Sequence, residues 1–101
     1  MTTFLGALPH PSSDSSTRFR LSADASPSVM PRIIGLFAKL AMVPEAFHAE
    51  RTGEDGLEVE IRVAGLSAQQ ADHLARALRQ IIEVEAVLVG LEEQAPAAAR
   101  A

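Results

Sequence analysis

The segment LEVEIRV, Leu57–Val63, alternates apolar and charged residues without a break. Successive side chains of an extended chain point to opposite faces, so Leu57, Val59, Ile61 and Val63 share one side and Glu58, Glu60 and Arg62 the other. Such a strand needs a sheet with one face buried and one face in water. The rest of the chain must supply its neighbours and a cover for the apolar face. Just upstream, TGEDG has the residues of a hairpin connection, and EAFHAERT before it reads as the paired strand. RFRLSAD places Phe19, Leu21 and Ala23 on one side against Arg18, Arg20 and Ser22, and EAVLVGL supplies a last strand.

Two helical patterns provide the cover. Between Ser28 and Pro44, in SVMPRIIGLFAKLAMVP, the residues Val29, Met30, Ile33, Ile34, Leu36, Phe37, Leu40 and Ala41 fill a broad apolar arc, with Arg32, Gly35, Ala38 and Lys39 opposite. Ser26 or Ser28 is placed to cap it. Pro31 is tolerated in the first turn, where an amide has no intrahelical partner, and Pro44 ends the pattern. SAQQ then matches a capping box, Ser67 with Gln70, opening a second helix that buries Ala71, Leu74, Leu78, Ile81 and Ile82. On its outer side Asp72 precedes Arg76 by four residues and Arg79 precedes Glu83 by four, spacings that favour ion pairs. The order strand, helix, strand, strand, helix, strand predicts an α+β, ferredoxin-like βαββαβ fold: an antiparallel four-stranded sheet with two helices on one face. Residues 1–17, with LPHPSSDSST, and 92–101 lack such patterning and read as flexible tails around a domain at 18–91.

Composition narrows the function. A formal charge of −4 disfavours nucleic acid and anionic membranes as partners, since both require a basic surface. No apolar run approaches the roughly 20 residues needed to span a bilayer, and no leader pattern opens the chain, so a soluble cytoplasmic protein is expected. The chain has no Cys, Asn, Trp or Tyr, which removes thiol nucleophiles, cysteine metal sites and several ligand-anchoring side chains. His10, His48 and His73 have no metal-ligand spacing, and they read as surface histidines. No nucleophile motif, zinc motif or glycine-rich phosphate loop is present, so no catalytic residue, metal or cofactor is expected. A sheet that stacks RNA bases needs outward aromatics, but the outward residues are Arg18, Arg20, Glu58, Glu60 and Arg62. These read instead as cross-strand ion pairs on a solvated face. The start of the first helix remains: free amides there attract anions such as a carboxylate, although ordinary capping explains the same residues.

SPSVMPRIIGLFAKLAMVPEAF, followed by LARALRQIIEVEAVLV, resembles the ACT domain, and specifically the regulatory small subunit of acetolactate (acetohydroxyacid) synthase. Arg32, Ile33, Gly35, Leu36 and Phe37 match the family's first helix, and Ile81, Ile82, Glu83 and Val84 match the stretch in which its second helix ends. Most such subunits carry a second domain, so this chain resembles the short, single-domain form. The resemblance implies a non-catalytic homodimer that associates with a thiamine-diphosphate-dependent large subunit in branched-chain amino-acid biosynthesis. It also implies a small amino-acid effector held at Ala25, Ser28, Val29 and Met30, with Val43 contributed by the second strand. Valine-sensitive members carry Asn at the positions of Ala25 and Val43 and Gly at those of Ser28 and Ala41. This sequence lacks all four, which implies weakened effector binding and a role weighted toward protein association. A stand-alone small-molecule sensor and a ligand-free dimerisation module are the alternatives.

Overall fold

The computed structural model describes residues 15–93, and the remaining positions of both predicted tails lie outside the described residues. The elements are β1 (Ser15–Asp24), α1 (Val29–Lys39), β2 (Ala46–Thr52), β3 (Gly56–Ala64), α2 (Ala68–Arg79) and β4 (Val84–Glu93). They form one antiparallel sheet in the order β2-β3-β1-β4, covered on one face by the two helices. This is the ferredoxin-like arrangement that the order of elements predicts. β1 is central, pairing with β3 on one side and β4 on the other, with Phe19 opposite both Ile61 and Val89.

The alternation in Leu57–Val63 is realised as written: Leu57, Val59, Ile61 and Val63 are buried with Phe19 and Leu21 beneath α1 and α2. The opposite face carries the charges. Arg18 pairs with Glu60 at 2.9 Å, diagonal to its direct neighbour Arg62, and Arg62 reaches Glu45 at 3.7 Å. Glu50 lies directly opposite Glu58 in the β2–β3 ladder, a like-charge pair that weakens that edge. β1 starts at Ser15, ahead of the segment whose alternation is visible, because Ser16 and Thr17 are buried hydroxyl residues that carry no hydrophobic signal. Ser16 Oγ donates to Glu45 Oε1 at 2.8 Å.

The helices are shorter than their apolar patterns. In α1 only Val29, Ile33 and Phe37 are buried, while Ile34 is 54% exposed. The helix ends well before Pro44: Ala41, at φ 59°, turns the chain left-handed, with Met42 N–H donating to Phe37 O at 2.9 Å and Ala41 N–H to Ala38 O at 3.1 Å. That pair of bonds is a Schellman C-cap with alanine where glycine is favoured. Ala41 therefore leaves the predicted apolar arc. In α2 the capping box is present, with Gln70 N–H donating to Ser67 Oγ at 3.0 Å and Ser67 N–H to Gln70 Oε1 at 2.9 Å. Leu74, Ala75 and Leu78 are buried, but the helix stops at Arg79 and leaves Ile82 85% exposed, contrary to its expected burial. Asp72 pairs with Arg76 at 3.1 Å, whereas the expected Arg79–Glu83 pair does not form because Glu83 lies beyond the helix. Arg79 donates to Val87 O instead, at 3.4 Å.

β4 enters the sheet through an irregularity. Ser22 pairs with Ala86 but Ala23 with Val84, so Glu85 is an extra residue between them. The extra residue turns Val84 inward, where it is 8% exposed, although strict alternation from Val87 would put Glu85 there. It also sets Glu83 beside the end of β1, where Asp24 N–H donates to Glu83 O at 2.9 Å.

Candidate functional site

Residues Ala25–Ser28 join β1 to α1 across the end of the β2–β3 hairpin. Ala25 N–H donates to Asp55 O at 2.9 Å, which seats this connection on the hairpin turn. Beneath it is a pocket of about 220 Å³ lined by Ala25, Ser26, Pro27, Met30, Arg51 and Leu57. Ala25 and Met30 are thus brought together here. Ser28 and Val43 are not among the lining residues, and Val29 is fully buried in the core. Val43 is 87% exposed in the connection after α1 and precedes β2, so it is not part of the second strand as the resemblance implies.

The helix start is occupied by the chain's own groups. Ser28 is the N-cap residue, yet its side chain caps no amide. Ser28 Oγ instead donates to Glu83 Oε2 at 2.7 Å and lies 3.1 Å from Ser26 Oγ. Arg32 Nε adds an ion pair to the same carboxylate oxygen at 3.6 Å. The Ser28 amide donates to Ser26 Oγ at 3.4 Å and the Val29 amide to Ser26 O at 3.1 Å, while Pro31 has no amide hydrogen. Of the three backbone donors available to hold an incoming carboxylate, two are therefore committed internally.

Glu83 supplies the negative charge that such a helix start favours. The Ser28 hydrogen bond is the largest cause holding its carboxyl below the ordinary 4.5, outweighing the opposing effect of burial, with its own backbone amide and the Arg32 guanidinium acting in the same direction. Sequence reasoning missed both Glu83 and Arg51 as members of this region. Arg51 was findable from register, since it lies opposite Leu57 at the end of the hairpin on which the connection rests. Its guanidinium Nη2 donates to Glu54 O at 2.9 Å, which holds it beside the pocket. Glu83 was hidden because the i,i+4 spacing to Arg79 offered it a helical partner.

No group of three or more His, Asp or Glu residues among the described residues is arranged to hold a metal ion. Nor is any helix among them long and apolar enough to cross a membrane.

Residues 11–97 match the family model described as ACT-like domain. The chain belongs to the ACT-like domain family. Solved structures agree with this ACT-like fold. The C-terminal domain of the MgtC protein from Mycobacterium tuberculosis superposes with a TM-score of 0.65 at 15% identity, covering 88% of this chain and 99% of that one. The ACT domain of the GTP pyrophosphokinase of Chlorobium tepidum gives 0.65 at 12% identity, covering 74% and 96%. A structure described as GqqA, a novel type of quorum quenching acylase, gives 0.62 at 19% identity, covering 91% of this chain but 34% of that one. Likeness at these identities is of fold. A search of curated proteins finds no match. The ACT-like domain is a regulatory module, and the four-stranded sheet with its β1–α1 connection is the frame in which its candidate site sits.

Proposed function

We propose that this chain is a non-catalytic regulatory ACT-like domain of the acetolactate synthase small-subunit type. In this reading it acts in the cytoplasm as a homodimer and associates with a thiamine-diphosphate-dependent catalytic subunit in branched-chain amino-acid biosynthesis. The observation that carries the weighting toward protein association is the self-satisfied start of α1. Ser26 and Glu83 already use the groups that would receive an effector's carboxylate, and Ala25 offers no polar atom beyond its backbone. Gly35 supports an association role. A Cβ built there meets nothing within 4 Å, so nothing inside this chain requires glycine, and its cost of about 1 kcal/mol in an exposed helix is left for a close partner to explain.

The test is co-elution of the full chain with a synthase large subunit, together with that subunit's activity with and without the chain. Co-elution with altered turnover supports the proposal; separate elution with unchanged turnover removes the partner from it.

One observation favours the sensor reading in second place: Arg51 stands at the pocket under the β1–α1 connection and carries the positive charge an acidic ligand group would meet. Thermal melting against the common amino acids separates the two readings. Occupancy at one hundred times the dissociation constant adds about 2.7 kcal/mol, so flat melting curves across the set would eliminate the sensor.

A further inference from the structure

A second, larger groove lies at the other end of β1 from the β1–α1 connection, beside Ser15 and Thr17. Its volume is about 540 Å³, the size of a cleft that takes a small organic molecule. One wall is α2, which lines the groove from Ser67 at its cap to Arg79 at its last residue, a length of about 18 Å at 1.5 Å per residue. The other wall is the end of β4, where Val89 and Leu91 turn toward the helices by register. Neither is covered: Val89 is 44% and Leu91 76% exposed, although Val87 on the same face is buried. To this stretch α2 contributes Ala71 and Ala75, whose side chains are too short to close the gap to the strand. The result is a long trough with apolar walls.

The two ionisable residues that line it are Asp72 and Arg79, and they differ in what they have left to offer. Asp72 is held by Arg76, outside the lining, at 3.1 Å. Arg79 meets no carboxylate among the described residues. Glu83, four positions on, is turned away to Ser28 and Arg32. Arg79 Nη2 donates to Val87 O at 3.4 Å, which sets the guanidinium beside β4 at one end of the trough. The other end, at Leu66 and Ser67, carries no charge. An elongated apolar trough with an uncompensated cation at one end is complementary to an unbranched chain that ends in an anion.

We propose that the groove between α2 and β4 is a binding site for a medium-chain aliphatic carboxylate, its chain laid along Val89, Leu91, Ala71 and Ala75 and its carboxylate at Arg79. The site is separate from the β1–α1 connection and does not depend on the synthase reading.

The probe is decanoate, titrated below its micelle-forming concentration into the isotope-labelled full chain while amide shifts are followed. The expected result is saturable movement at Ala71, Ala75, Val89 and Leu91, with Ala25 and Met30 unmoved. Full burial of a methylene is worth about fourfold in affinity, so across hexanoate, octanoate and decanoate each methylene in this open trough should add about twofold or more. Arg79→Gln should weaken decanoate by about two- to fivefold, the size of a solvent-accessible ion pair, and leave decanol unaffected. Ala71→Leu, which fills the trough, should remove saturation in a chain that keeps its melting temperature. An absence of saturable shifts, an affinity indifferent to chain length, or equal binding of decanol and decanoate to the natural chain would overturn the proposal. So would movement of the same amides with protein concentration alone, which would assign the groove to a second copy.

Discussion

At the scale of single residues, two backbone positions carry opposite mismatches between side chain and conformation. Ala41 occupies the left-handed C′ position of α1 at φ 59°, where a Cβ is unfavourable by about 1 kcal/mol. Ala41→Gly is expected to add about 1 kcal/mol of stability, read as a higher urea midpoint at unchanged slope, and an unchanged or lower midpoint would contradict the assignment of a Schellman cap. Gly56 is the reverse case. A Cβ there would stand 2.6 Å from Thr52 Oγ1 and 2.7 Å from Thr52 O, and the second of these atoms is backbone and cannot rotate away. Gly56→Ala should cost about 1–3 kcal/mol by overpacking the hairpin, read as a fall in melting temperature, whereas Gly35→Ala in open space should not. Neither position was legible as such. Ala41 looked like part of a helical arc, and the glycine of TGEDG signalled a turn without showing which atom it must clear.

At the scale of elements, alternation and capping were the most readable signals. Leu57–Val63 and the Ser67–Gln70 box each follow from local geometry alone, so the structure reproduces them. Element ends were less readable, since apolar residues continue past the last hydrogen-bonded turn: Ile82 continues the pattern of α2 but lies outside it and stays in water. The Ser28–Glu83 contact was unreadable for a different reason. It joins elements 55 positions apart, and only the irregular entry of β4 brings the carboxylate to the first helix. That contact gives a pH signature. Glu83 titrates below 4.5 in the folded chain, so its contribution is present above that value and is lost as pH falls through the lower folded value. Urea midpoints measured across the acid range should therefore fall more steeply for the natural chain than for Glu83→Gln. Parallel curves would show that the carboxylate contributes nothing there.

At the scale of the molecule, the core is a single layer between one sheet face and two short helices, so central residues carry a large share of the stability. Phe19 is fully buried and faces Ile61 and Val89 at the middle of the sheet. Phe19→Ala should remove about 3–5 kcal/mol of a total that for such domains is about 5–15 kcal/mol. Circular dichroism should then show a substantially lowered midpoint, and in the unfavourable case an unfolded chain at ambient temperature.

The extra residue Glu85 has one more consequence. Along β4 the inward Val87 and Val89 alternate with an outward Leu88, so a one-residue slide against β1 would still offer apolar side chains to the core. Burial alone distinguishes the two alignments poorly. The extra residue at Glu85 breaks the degeneracy, because it lets Val84 face inward together with Val87 and Val89, whereas the slid strand would pair Val84 with Ala86, Leu88 and a side-chain-free Gly90. A single inserted residue thus acts as the index mark that tells an otherwise ambiguous edge strand where to stop.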